Sequence, residues 1–186
     1  MPHTLSKTVY CFNELNDTAK ERARDWWRNL EAQDFETEFV IEDMQRMAAI
    51  LGIEFDTRPV KLMSGGTRHE PCVYWSGFSS QGDGACFEGR YRYAKGAAKA
   101  IRVEAPNDKR LHAIADDLAA AQRKAFYQLD ARVTHSGRYY HEHSTSIAVE
   151  HAQDSYRDIG DKGEAIAEAL RDFMLWIYRQ LEQEYE

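Results

Sequence analysis

Apolar residues recur at helical spacing along much of this chain. In residues 18–32, Ala19, Ala23, Trp26, Trp27 and Leu30 form a stripe at three- and four-residue intervals, predicting a helix with one buried face. Residues 13–17 supply N-cap side chains just before it. Residues 36–51 repeat the pattern with Phe39, Val40, Met44, Met47, Ile50 and Leu51, and Gly52 suits the left-handed residue that ends a helix. These two helices are expected to pair as an αα-hairpin. A short helix over residues 95–103 ends before Pro106. Asn107 or Asp108 then caps a longer helix to about residue 127, with Leu111, Ile114, Ala115, Leu118, Ala121, Gln122 and Ala125 on one side. From residue 161 onward, Ile166, Leu170, Phe173, Ile177 and Leu181 mark a final amphipathic helix.

Between the helices the period falls to two. Residues 8–12 read as a short strand, and residues 53–63 as a half-buried strand in which Pro59 requires an edge position or a bulge. The stretch YWSGFSSQGDGACFEGRYRY, residues 74–93, predicts a central hairpin of two aromatic-rich strands turned at Gly82, Asp83 and Gly84. Past the turn, Phe87, Gly89 and Tyr91 alternate with Glu88, Arg90 and Arg92, giving one apolar and one polar face. Two more strands are expected at residues 129–135 and 139–151. The predicted fold class is α+β, an antiparallel sheet of five to six strands with helices mainly on one face, in a single domain spanning residues 1–186.

Composition narrows the partners. The 31 acidic and 24 basic residues give a net charge of -7, which disfavours direct nucleic-acid binding and anionic membranes and favours a partner with a basic surface. No apolar run has the length of a signal-peptide core or a membrane span, so a cytoplasmic protein is expected. Cys11, Cys72 and Cys86 lie in predicted strands without the spacing of a disulfide framework or metal knuckle, and are expected to be buried thiols. No cofactor is expected.

Candidate chemistry is sparse. His135, His141, His143 and His151 form a metal-like set, with His141 and His143 on one strand face and Glu142 on the other. Without an HExxH motif or a cysteine partner, hydrogen-bonded strand histidines explain them as well. Asp83 and Glu88 supply two carboxylates, but a turn accounts for the first and neighbouring arginines for the second. Tyr74, Tyr91, Tyr93, Tyr139 and Tyr140, with Trp75, Arg90, Arg92 and Arg138, resemble a stacking surface for single-stranded nucleic acid, although aromatics are favoured in strands anyway. The densest feature is acidic: Glu31, Asp34, Glu36, Glu38, Glu42 and Asp43 occur with no base among them. Acids suit a first helical turn, and beyond it they suit docking onto a basic surface. A second surface for a protein partner is Tyr74, Trp75, Asp83, Arg90 and Arg92.

The segments VYCFNELNDTAKERARDWW, YWSGFSSQGDGACFEGRYRY, HSGRYYHEHS and LRDFMLWIYRQLEQEYE are spread along the chain from residue 9 to residue 186. Through them the sequence resembles a family of small bacteriophage and prophage proteins often labelled antitoxin of a toxin–antitoxin stability system. The resemblance implies an intracellular accessory protein and carries no catalytic residues with it. The expected function is a phage- or prophage-encoded, non-enzymatic binding protein that inhibits or neutralises a host or defence protein, as an antitoxin or an anti-CRISPR-like counter-defence factor does. Two alternatives are a metal-dependent hydrolase or nuclease using the residue 135–151 histidines, and single-strand binding through the tyrosine-rich sheet.

Overall fold

A computed structural model of the chain describes residues 10–34, 36–62, 65–80, 82–153 and 159–185, with the side chains of residues 25, 27–34 and 36–38 outside that set. The chain divides into two units, with the boundary between Phe39 and Val40.

In the first unit, Phe12–Glu14 form a 3-10 turn, in which the Glu14 carboxylate accepts the Cys11 N–H at 2.7 Å. The strand expected at residues 8–12 therefore does not extend through Phe12, and residues 8 and 9 lie outside the described residues. Cys11, expected to be buried, is exposed there. Asn16 accepts the Ala19 N–H at 2.8 Å and caps α1, Asp17–Asp34. Trp26, expected in the buried stripe, is 62% exposed. Capping and propensity are enough to start this helix, and they do not decide what covers it.

Helix α2, Glu36–Leu51, crosses the boundary and buries Met44, Met47, Ala48 and Leu51 in the core of the second unit. It stops at Gly52, whose φ is +85° and where an added Cβ would lie 2.0 Å from the Arg92 carbonyl oxygen. No other residue satisfies both demands.

After Gly52 come β1 (Ile53–Phe55), β2 (Thr57–Lys61), β3 (Thr67–Pro71), β4 (Val73–Trp75), β5 (Ala85–Phe87) and β6 (Gly89–Arg92). Single residues separate three of these pairs: Asp56, Cys72 and Glu88. Their backbones close a ring of hydrogen bonds, with Asp56 N–H donating to the Glu88 carbonyl at 2.8 Å, Glu88 N–H to Cys72 at 2.9 Å, and Cys72 N–H to Asp56 at 2.7 Å. Because the ring satisfies these backbone polar groups, each strand can change partner there without leaving an orphan. The stretches read as single strands at residues 53–63 and 85–93 therefore split in two. β1 and β6 enter an antiparallel four-stranded sheet in the order β1-β6-β7-β8, with β7 at Leu129–His135 and β8 at Thr145–His151. β2 with β3, and β4 with β5, leave as separate two-stranded ribbons. The fold is α+β as expected, but the strands divide among a large sheet and two ribbons, and β3 is an addition to the expected set. Pro59 sits opposite His69 in unbroken register on a strand that, among the described residues, pairs only with β3, so the edge position is the one it takes.

Helices α3 (Ala97–Glu104), α4 (Lys109–Lys124) and α5 (Asp161–Tyr185) complete the second unit. Asp108 accepts the N–H groups of Arg110 and Leu111, and its other oxygen accepts the Trp176 indole N–H at 2.7 Å, so one carboxylate caps α4 and ties it to α5. The α5 residues Ile166, Leu170, Phe173, Ile177 and Leu181 are all buried, and Phe173 meets Phe55 and Phe87 at ring distances of 6.5 and 6.1 Å. Ile53, Tyr91, Ala131 and Val133 are buried on one face of the sheet, whereas Glu54, Arg90, Ser146 and Glu150 are exposed on the other.

Candidate interaction surfaces

Of the acidic set predicted near α2, only Glu42 and Asp43 have described side chains; those of Glu31, Asp34, Glu36 and Glu38 lie outside the described residues. Both are exposed. Asp43 is 2.6 Å from Arg46, which also meets Glu104 at 2.9 Å, so part of the negative charge at this point is offset.

The residues of the second predicted surface separate. Asp83 serves the turn: its carboxylate accepts the N–H groups of Ser79 and Ser80 at 2.9 and 2.6 Å. Gly84 is held by a tertiary constraint, since a Cβ there would lie 2.9 Å from the Tyr140 carbonyl oxygen. Trp75 packs half-buried against the core. Arg90 and Arg92 stand on the open sheet face, where Arg90 lies between Glu54 and Arg132 in register, and Arg92 pairs with Asp130 at 3.3 Å. Arg132 in turn holds Asp56 with two hydrogen bonds. Together with Gln45 and Ala49 of α2, Arg90 and Arg92 line a groove of about 440 Å³.

Tyr74 turns to the strand junction instead. Its hydroxyl donates to Glu88 at 3.2 Å, and its ring lies 5.3 Å from Tyr140 and 6.0 Å from His135. Hydrogen bonding with Cys72, then burial and the nearby Glu88 carboxylate, hold its phenol above the ordinary tyrosine range. Tyr91 is buried in the core, which removes it from any stacking surface.

The expected strand over residues 139–151 begins only at Thr145. Before it, Glu142–Ser144 form a 3-10 turn, fixed by the Ser144 hydroxyl, which donates to the Tyr139 carbonyl at 2.6 Å and accepts the His141 N–H at 3.1 Å. His141 and His143 consequently do not share a strand face, and Glu142 does not point away from them. Its buried carboxylate lies 3.1 Å from His141 and 4.0 Å from His143. His135 bonds the Tyr139 carbonyl at 2.9 Å, whereas His151 sits at the far end of β8, opposite Leu129. Among the described residues, no group of three or more His, Cys, Asp or Glu side chains is placed to hold a metal ion.

The concavity that sequence reading missed lies between α4 and α5. These helices run antiparallel, as shown by the Asp108–Trp176 and Arg110–Asp172 contacts. Toward the C-terminal end of α4 they enclose a groove of about 540 Å³. Its lining combines Ala120, Ala121, Ala165 and Ala169 with Asp117, Asp161, Glu168 and Asp172, and it also includes Lys124 and Lys162. The acids and alanines come from stretches about forty residues apart, and only helix pairing places them together. Among the described residues, no helix is long and apolar enough to cross a membrane.

A family model described as a domain of unknown function (DUF8835) matches residues 37–186. No curated protein and no solved structure matches the chain.

Proposed function

We propose that this chain, which belongs to the DUF8835 family, is a binding protein that blocks a protein partner with a basic surface, in the manner of a phage-encoded antitoxin or counter-defence factor. The observation that carries the reading is the groove between α4 and α5, with alanines and carboxylates in the same lining. Lysine and arginine side chains bury an aliphatic stem and keep a charged head near water. Alanines accept such stems, and Asp117, Asp161 and Glu168 meet the heads, Glu168 exchanging its 3.4 Å contact with Arg171 for the partner's cation. Asp161 also complements the N-terminal dipole of α5 and is exposed there. The net charge of -7 steers a basic partner toward the molecule, and the groove then fixes where it docks.

The test reverses charge in the groove. Asp117→Lys combined with Glu168→Lys changes two exposed side chains, so the thermal midpoint is expected to stay close to that of the parent. Both proteins are immobilised and exposed to lysate of the natural host at low salt. Support requires a protein that the parent retains, that salt releases, and that the double variant loses. Equal retention by a variant of unchanged midpoint removes the groove from the account, and no salt-sensitive retention by the parent removes the function.

A further inference from the structure

The β2–β3 ribbon carries a charge opposite to that of the chain as a whole. Arg58, Lys61 and Arg68 share it with one acid, Glu70, in a protein of net charge -7. Glu70 lies 3.6 Å from Arg58 and 2.8 Å from Arg68. Most of the ribbon's residues are exposed, and among the described residues neither strand pairs with a third. An isolated two-stranded ribbon is marginal in water, which makes this an element suited to meeting a partner.

At the ribbon's root the cations join an aromatic cluster. The Arg58 guanidinium lies 5.5 Å from the centre of the Tyr74 ring, which neighbours Tyr140 and His135. His135 bonds the carbonyl of Tyr139, whose side chain is 65% exposed, and the adjacent Arg138 is also exposed. A cationic ribbon and an exposed tyrosine beside an arginine therefore flank one junction.

We propose that this corner binds single-stranded nucleic acid, the ribbon cations following the phosphates while Tyr139 stacks on a base. Cationic tracks with aromatic platforms bind single strands with little sequence preference, because every base offers a π-face. A paired base in a duplex offers none to Tyr139, so the exposed ring favours the single strand. The overall negative charge does not forbid this: at physiological ionic strength, exposed charges are screened beyond about 8 Å, so the strand responds to the local cations. This site uses none of the groove residues between α4 and α5, and its test is independent of that reading.

Fluorescence anisotropy with a labelled oligo(dT) of about 16 nucleotides tests the proposal, alongside a duplex of the same length. Binding to the single strand is expected, with log Kd rising against log salt at a slope of about 2, as for about three neutralised phosphates. Lys61→Glu with Arg68→Glu should weaken binding at least tenfold, and Tyr139→Ala several-fold, each with an unchanged thermal midpoint. The groove variant Asp117→Lys should leave the contribution of these ribbon and loop residues in place. Absence of salt-sensitive binding, equal affinity for the duplex, or full affinity in the folded ribbon variant would each overturn the proposal.

Discussion

Cys86 and Tyr91 show how burial sets the chemistry of single residues. Burial first, and the nearby Glu88 carboxylate second, push the Cys86 thiol from 9.0 to about 12. Burial also dominates at Tyr91, which rises from 10.0 to about 12 despite the opposing hydrogen bond with Gln122. Both groups keep their protons in the folded protein at pH values where the unfolded chain has released them. Their contribution to stability is therefore complete below pH 9 and is lost as pH rises through the interval from 9 to 12. A calorimetric midpoint measured against pH should fall through that interval. Cys86→Ala should flatten the earliest part of the decline, between 9 and 10, where the Tyr91 phenol is protonated in both states. A midpoint that holds through the interval contradicts the burial argument for both residues.

Among the elements, the strand junction imposes a strict demand on one residue. Gly89 follows the Glu88 branch point, and a Cβ there would lie 2.2 Å from the Glu54 carbonyl oxygen, a backbone atom that cannot move without disturbing the β1–β6 ladder. Gly89→Ala should therefore destabilise the fold by about 3 kcal/mol in urea denaturation, as overpacking a tight site does. Gly82→Ala tests a different cause: the space around it is open, and its strain comes from a φ of +97° alone. The expected cost there is smaller, about 1 kcal/mol. If the two variants lose equal stability, the close approach of β1 to β6 is not what requires glycine at residue 89.

For the molecule as a whole, the division between the two units predicts where it can be cut. Every residue in the described hydrophobic core lies between Met44 and Leu181, and the DUF8835 match begins at residue 37. A fragment of residues 37–186 should therefore unfold cooperatively. Its midpoint should lie within about 4 °C of the full chain, a difference of about 1 kcal/mol. A fragment without a cooperative transition would mean that the first unit completes the core.

Helix periodicity and capping were legible in the residues because they are local. Leu111 through Gln122 on α4 and Ile166 through Leu181 on α5 occupy the buried positions that their spacing implies, and Asp108 caps the helix it precedes. The open polar face of Arg90 and Arg92 was equally readable, since alternation along a strand fixes which side chains share a face. The amino-acid order alone thus determined the α+β class, the helices of the second unit and the polarity of the sheet faces. The partner of each strand was decided elsewhere. Asp56, Cys72 and Glu88 lie sixteen residues apart in succession, and the hydrogen-bond ring that lets their strands part exists only once all three backbones meet. The same holds for Gly84, required by the approach of Tyr140, for Glu142, buried beside two histidines in a turn where a strand was expected, and for the acidic groove. Each depends on distances between residues remote in sequence, which local periodicity does not encode and chain packing alone decides.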